Sequence, residues 1–417
     1  MSGSMITEKY EYLTDIITSY DGHEQRIKTR QEPRRLLSYD YEAMDAYQAQ
    51  WIRGLGRMRQ TDTYYIPMWQ SPVYLTEEHE AGKALYVRKE DMFNLRDCEW
   101  IEIFTHDDVT QQSGANIVRQ VYEYGERLDS GIIGLKKSIN KHLDPRNTWI
   151  YPLKRCSIQP MSDLMYRFSN GSHIVHNFED LLQKPVRVNV PYTFLSVDEE
   201  YTGKNRWRLP QYIDNYEVLR IEPTWADDEA VKLGVDKAVN RLDNETGMFW
   251  YDLKNSRSYD THTYQFILLN QQMIHNMIRF FNRICGKWKA FYYPTWVNDL
   301  ILIEDIHADE NFIITGWNKI AQYYLNNKRT KKIVVFTKDW QSYIFDVVTY
   351  VEEETDDGTI GKVVLPTEAM IDISKDNILM ISYLNFVRLD SDELQLNYES
   401  NVVANTTLVM KEIDDLV

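Results

Sequence analysis

The chain carries its own repeat, and this constrains its fold more than any other feature. Tyr64-Tyr65-Ile66-Pro67-Met68-Trp69 recurs as Phe291-Tyr292-Tyr293-Pro294-Thr295-Trp296, position by position 227 residues later. The same separation carries Gly131-Ile132-Ile133-Gly134 onto Gly358-Thr359-Ile360-Gly361. Asp21-Gly22 and Thr246-Gly247, both in apparent hairpin turns, stand 225 apart, and Ser162-Asp163-Leu164 and Ser391-Asp392-Glu393 stand 229 apart. Several markers in one order at nearly one spacing point to a unit used twice. Copy 1 is expected over 8–195 and copy 2 over 236–417. Residues 1–7 are expected to be a flexible N-terminus and 196–235 a connector. Trp207, Tyr212, Tyr216 and Trp225 make that connector too apolar for a free linker.

Periodicity gives each copy the same outline. Leu36–Tyr41 and Thr263–Leu268 read as strands. Glu42–Met58 then reads as a helix with Met44, Tyr47, Trp51, Leu55 and Met58 on one stripe, and Asn270–Ile284 as its counterpart with Ile274, Met277, Ile278, Phe281 and Ile284. Tyr64–Trp69 and Ala290–Trp296 return as strands. Their prolines belong at a strand end, edge or bulge, because proline cannot donate to a ladder. Trp69 and Trp296 are expected to be buried corners. The rest of each copy is β-rich, most clearly Ile378–Arg388, Glu393–Tyr398 and Asn401–Ile413. The fold class expected is α+β, mostly β: two tandem similar β-rich domains, each with one main strand–helix–strand unit.

Charge narrows the function. With 47 Lys and Arg against 63 Asp and Glu, a net charge of -16 disfavours a general nucleic-acid coat, which needs clustered positive charge. Two basic islands interrupt it, Arg26-Lys28-Arg30-Arg34-Arg35 and Lys328-Arg329-Lys331-Lys332; either is a solvated hairpin, a patch that docks on an acidic neighbour or, least favoured, a nucleic-acid contact. Three scattered cysteines exclude a local zinc knuckle, a CxxC pair and a disulfide scaffold. The first residues lack the apolar run of a secretory leader, and no window is apolar enough to span a bilayer as a helix. The 29 Tyr and 11 Trp against 17 Gly suit sheet faces and large interfaces better than phosphate-cradling loops.

A search for chemistry finds little. Nucleophile-elbow, P-loop, dinucleotide and zincin motifs are all missing from the sequence. His173 and His176 would face opposite sides of a strand. His106-Asp107-Asp108 reads as a turn after a strand Trp100–Phe104. Glu352-Glu353-Glu354-Thr355-Asp356-Asp357-Gly358 lacks calcium-loop spacing and reads as a solvated hairpin tip. Three sequons, at Asn170, Asn244 and Asn405, carry meaning only in a secreted chain. The expectation is therefore no enzyme, with no catalytic, cofactor-binding or metal residue assigned.

Other segments suggest a family. The opening Tyr10-Glu11-Tyr12-Leu13-Thr14-Asp15, then Ser19-Tyr20-Asp21-Gly22-His23-Glu24-Gln25-Arg26 and Pro33-Arg34-Arg35, resembles virion tail proteins of tailed bacteriophages. So do Phe280-Phe281-Asn282-Arg283, Gly286-Lys287, Phe291–Asp299 and Val387-Arg388-Leu389-Asp390-Ser391-Asp392. The pattern is similar to distal tail proteins, with Gln70-Ser71 departing from it where copy 2 has Val297-Asn298-Asp299. The resemblance implies an internally duplicated structural virion protein of the tail tip or baseplate, made in the host bacterial cytoplasm. It would sit in a ring, trimeric or hexameric, joining the tail tube to hub, fibre or receptor-binding parts. Genome DNA would pass through an acidic lumen without specific binding. The alternative is a glycan-binding or glycan-cleaving tail protein, motivated by the aromatic and carboxylate content. A third reading is a two-domain adaptor that joins other chains.

Overall fold

The structure is a computed structural model. It describes residues 6–19, 23–43, 54, 62–95, 98–106, 117–129, 131–158, 165–168, 186–196, 211–225, 232–243, 245, 247, 249–327, 331–356 and 358–413. The chain is mostly β, as its alternating segments predict, with two α-helices among the described residues.

In chain order the first strands are β1 (Ile6–Glu11), β2 (Thr14–Thr18), β3 (Glu24–Lys28), β4 (Arg34–Ala43), β5 (Thr63–Pro67), β6 (Gly82–Tyr86) and β7 (Trp100–His106). They are followed by β8 (Ile117–Asp129), β9 (Ile132–Ile139), β10 (Thr148–Ile158), β11 (Met165–Phe168) and β12 (Val186–Ser196). A short hairpin, β13 (Gln211–Ile213) and β14 (Tyr216–Val218), leads to β15 (Lys232–Asp243), β16 (Phe249–Leu268) and helix α1 (Gln271–Ile284). Next come β17 (Phe291–Pro294), β18 (Phe312–Gly316), helix α2 (Lys319–Asn327), β19 (Lys332–Thr337), β20 (Ser342–Asp346), β21 (Thr349–Thr355) and β22 (Gly358–Val364). β23 (Ile378–Leu389), β24 (Glu393–Tyr398) and β25 (Ala404–Glu412) close the chain.

The pairing scheme of the first half recurs in the second, in register. β1 on β4 pairs Thr7 with Ser38, and β15 on β16 pairs Lys232 with Thr263, 225 residues on for both strands. β2 on β3 pairs Thr14 with Lys28, and further along the same long hairpin Val239 pairs with Leu253, again 225 on. Pro67 opposes Leu153, and Pro294 opposes Leu384. Ile103 opposes Ile150, and Val335 opposes Ile381. Ala43 opposes Val188, and Leu268 opposes Ala404. A single spacing near 227 therefore does not run through the whole chain. It widens to 231 between Leu153 and Leu384 and narrows to 216 between Val188 and Ala404.

Local chemistry explains the elements. α1 starts at Asn270, whose Oδ1 accepts the Met273 N–H at 2.9 Å, and stops where Cys285 takes φ 56 and Gly286 φ 66. Its apolar stripe buries Ile274, Met277, Phe281 and Ile284 against Tyr264, Phe266, Phe291 and Tyr293. In β24 the inward positions are Leu394, Leu396 and Tyr398, and in β25 Ala404, Thr406, Leu408 and Met410. Two further cores repeat one design: Ile101, Ile103, Ile133 and Ile150 in the first half, and Ile333, Val335, Val363 and Ile381 in the second.

Several expectations change. β4 runs through Ala43, so Glu42 is strand where helix was expected, and the remainder of 42–58 lies outside the described residues apart from residue 54. Both prolines end their strands, yet Trp69 and Trp296 lie beyond them. Trp296 is 6% exposed and buried; Trp69 is only half-buried, edge-packed on Phe104 and Tyr151. β1 includes Ile6 and Thr7, which were expected to be part of a flexible N-terminus, and β15 includes Lys232 to Val235, expected in the connector. The connector supplies sheet: β14 runs parallel to β17. His106 is the last residue of β7, not a turn. Glu352, Glu353 and Glu354 lie exposed on β21, with the hairpin tip beyond them. Leu389 belongs to β23, so the turn to β24 is Asp390-Ser391-Asp392. His173, His176, Asp163 and the turn Asp21-Gly22 lie outside the described residues. No helix among the described residues is long and apolar enough to cross a membrane.

Candidate functional site

β1 joins the two halves, pairing with β4 along one edge and with β24 along the other. At the join stands Glu8, 1% exposed. Its carboxylate accepts from Tyr10 Oη at 2.6 Å, Tyr398 Oη at 2.8 Å, Gln70 Nε2 at 3.3 Å and Arg35 Nε at 2.7 Å. Burial alone would raise its pKa; the Arg35 charge and these hydrogen bonds outweigh burial and hold it below the usual carboxylate range. Beside it a cavity of 70 Å³ reaches Asn94, His275 and Asn282. The His275 ring lies 3.8 Å from the Phe93 ring and 3.0 Å from Asn94 Oδ1, so α1 also touches the first half.

The second contact between the halves assembles residues that carry the family resemblance. The β2–β3 hairpin folds down on the far half instead of continuing the sheet. Asp392 accepts the Thr14 N–H at 2.7 Å, the Thr14 hydroxyl at 2.9 Å and the Lys287 N–H at 2.8 Å. Gly286 makes room for it: a Cβ there would stand 2.5 Å from Asp392 Oδ1, at a left-handed φ of 66°. Gly286→Ala is therefore expected to cost roughly 1–2 kcal/mol of backbone strain alone, plus displacement of Asp392. Thermal melts of this variant beside Gly247→Ala, where the left-handed φ is kept but nothing lies within 4 Å, separate the two terms.

The hairpin's other anchor is a buried ion pair. Arg388 Nε and Nη2 donate to Glu24 at 2.6 and 2.8 Å, with side chains 4% and 6% exposed. Lys28 Nζ lies 3.3 Å from Cys285 Sγ and over the Tyr12 and Trp288 rings. The first basic island is thus largely spent inside the chain: Arg35 on Glu8, Arg30 on the Glu11 carbonyl at 2.7 Å, Lys28 on the far half. In the second island Lys332 is buried between Asp214 and Asp346, while Lys328 and Arg329 lie outside the described residues.

The second-half hairpin behaves differently. Where β2 and β3 bend away, β15 and β16 continue as one long ribbon, and β15 pairs with no described strand but β16. Its far end exposes large apolar side chains among charged ones: Leu242 is 64% exposed, Phe249 48%, Trp250 76% and Tyr251 59%. An isolated two-stranded ribbon with this surface is marginal in water.

In the sequence Thr14, Glu24, Gly286 and Arg388 stand out only as family resemblance, and Asp392 as that and as a repeat marker; the fold makes them one contact. Sequence reasoning missed Glu8, Gln70 and Tyr398, whose one signal was an acidic residue in phase with Tyr10 on the buried face of β1 and with Tyr12 just beyond it. Three surface and junction cavities, of 70, 340 and 510 Å³, each have one carboxylate in their lining, Glu8, Glu393 and Asp346. Glycoside hydrolysis uses a pair. Glu78, Glu80 and His142 come together but are all exposed. No family model and no curated protein matches the chain.

Proposed function

We propose that the chain is a duplicated structural component of a bacteriophage tail tip or baseplate, forming part of a ring that joins the tail tube to distal or receptor-binding parts. The observation that carries this reading is the recurrence of one strand-pairing scheme in both halves, held together by a hairpin of one half docked on the other. A unit used twice in one chain, already engaged with its own copy, is half of the contact a cyclic assembly needs. Some of the residues that resemble tail proteins, Thr14, Glu24, Lys287, Arg388 and Asp392, form that contact. The net charge of -16 suits a lumen that repels DNA phosphates.

The test is negative-stain imaging with particle mass, on the protein alone and on assembled tails. The reading expects closed rings located at the tail tip. Its replacement by a glycan-active reading requires turnover of capsular polysaccharide or lipopolysaccharide by particles that form no ring.

A further inference from the structure

We infer that the β15–β16 arm docks on the first half of a second copy of this chain, by the contact that β2–β3 makes on the second half within one chain. The inference deepens the ring reading and rests on it for closure only. Register supplies the equivalence. Thr18 opposite Glu24 in the docked hairpin corresponds to Asp243 opposite Phe249 in the arm. The acceptor strand β23 pairs Arg388 with Lys411, and β10 pairs Ser157 with Leu195 in the same place. Within one chain, then, Glu24 meets Arg388; between chains, Phe249 would meet the neighbourhood of Ser157.

The two positions change together. Where the docked hairpin has a carboxylate, its acceptor has a guanidinium; where the arm has a phenyl ring, the equivalent acceptor has a neutral serine. A buried Phe249 opposite an arginine, or a Glu24 opposite a serine, would leave an unpaired buried charge. Neither Phe249 nor Ser157 carries a charge, and Arg241, which lies over the Phe249 ring, is already paired with Asp243 in its own arm.

Charge and exposed aromatic side chains also favour a second copy. Residues 232–260 carry five Lys and Arg and five Asp and Glu, so the arm is neutral in a chain of net charge -16. It is a stretch along which two such chains meet with little mutual repulsion. Leu233, Val235, Leu242, Phe249, Trp250 and Tyr251 are 48–76% exposed. At the far end Phe249 and Tyr251 share one face of the ribbon, their rings 5.3 Å apart, and Trp250 and its cross-strand partner Leu242 share the other, so the arm offers apolar contacts on both faces.

The contact is heterologous, arm to acceptor, so the same step repeats: first half to second within a chain, second half to first between chains. If that step closes after six units, three chains complete the ring.

Two measurements on the full chain test this. Phe249→Cys and Ser157→Cys chains, mixed at high concentration with a short bismaleimide, are expected to give a crosslinked dimer that neither variant gives alone; Cys98, Cys156 and Cys285 are buried and form the background. Separately, Phe249→Glu and Ser157→Arg are each expected to weaken self-association about tenfold or more, the range for a buried uncompensated charge. Combined in one chain they restore it, because the new carboxylate meets the new guanidinium of the next chain. No crosslink in the mixture, or no rescue from two variants that melt like the parent, overturns the inference. Crosslinks arranged in open chains keep the contact and refute the ring.

Discussion

Arg388→Ala is expected to cost about 3–5 kcal/mol, the range for leaving one partner of a buried ion pair unpaired. The loss falls on a specific place. Glu24 is 6% exposed and loses the two hydrogen bonds, at 2.6 and 2.8 Å, that held its carboxylate, so the β2–β3 hairpin releases while the second-half core stays folded. Proteolysis within 14–28 should rise in step with the drop in melting temperature. Arg388→Met with Glu24→Leu should recover most of the stability, since the buried pair becomes apolar and the charges that lose a partner, Lys411 and Asp390, are 29% and 46% exposed and reach water. The pH dependence has a fixed sign. Burial pushes the Glu24 carboxyl up, but Arg388, and then Lys411 and Arg26, outweigh it and hold it below its ordinary value. A carboxyl depressed in the folded state contributes stability above its unfolded pKa and loses it as pH falls through the folded value. Glu8 has the same direction. Wild type should therefore weaken on acidification through and below the ordinary carboxylate range, and Arg388→Ala should weaken less steeply there. An Arg388→Ala melt and acid profile that both match wild type would remove the ion pair from the account.

Trp296→Ala is the second large effect, roughly 3–5 kcal/mol for a buried indole. The ring is 6% exposed and stacks on Phe336, centroids 4.8 Å apart at 22°. Its backbone sits at φ 56°, which an L side chain tolerates only when the surroundings demand it. Trp296→Gly should hence be less damaging than Trp296→Ala by about 1 kcal/mol, because glycine relieves the left-handed strain. Trp69→Ala, half-buried at the corresponding place, should cost only roughly 1–2 kcal/mol. Urea unfolding of the three variants checks the order; equal losses for Trp69 and Trp296 would show that the two corners bear the same burden.

Local pattern carried far into this fold, and its reach had a physical limit. The cap at Asn270, the stripe of α1 and the strands over 378–389 and 393–398 are written in periodicity and turn chemistry. The proline–tryptophan pairs located two strand ends correctly, because missing N–H groups are a local fact. They misplaced Trp69, because burial depends on what packs from elsewhere. The boundary at Glu42 failed for the same reason: β4 is extended by its partner β12, which arrives from more than 140 residues away. The Glu8 cluster joins residues 390 apart to a strand start, and no spacing rule reaches that far. Asp392, Gly286 and Thr14 were visible as individual markers, but only the fold shows that one carboxylate, one missing Cβ and one backbone N–H are parts of a single joint.

The two hairpins, equivalent in strand register, are used differently. The β2–β3 hairpin sits on its own chain and uses polar anchors; the β15–β16 arm carries exposed aromatic side chains and is proposed to reach the next chain. That contrast is the centre of the account, and a symmetry-free reconstruction of the assembled particle tests it most directly. Three chains should alternate as six similar units around an acidic lumen, each β15–β16 arm lying on the first half of the next chain. Six equivalent chains with second halves in an outer ring, arms pointing into solvent, or a lumen lined by Lys and Arg would contradict it.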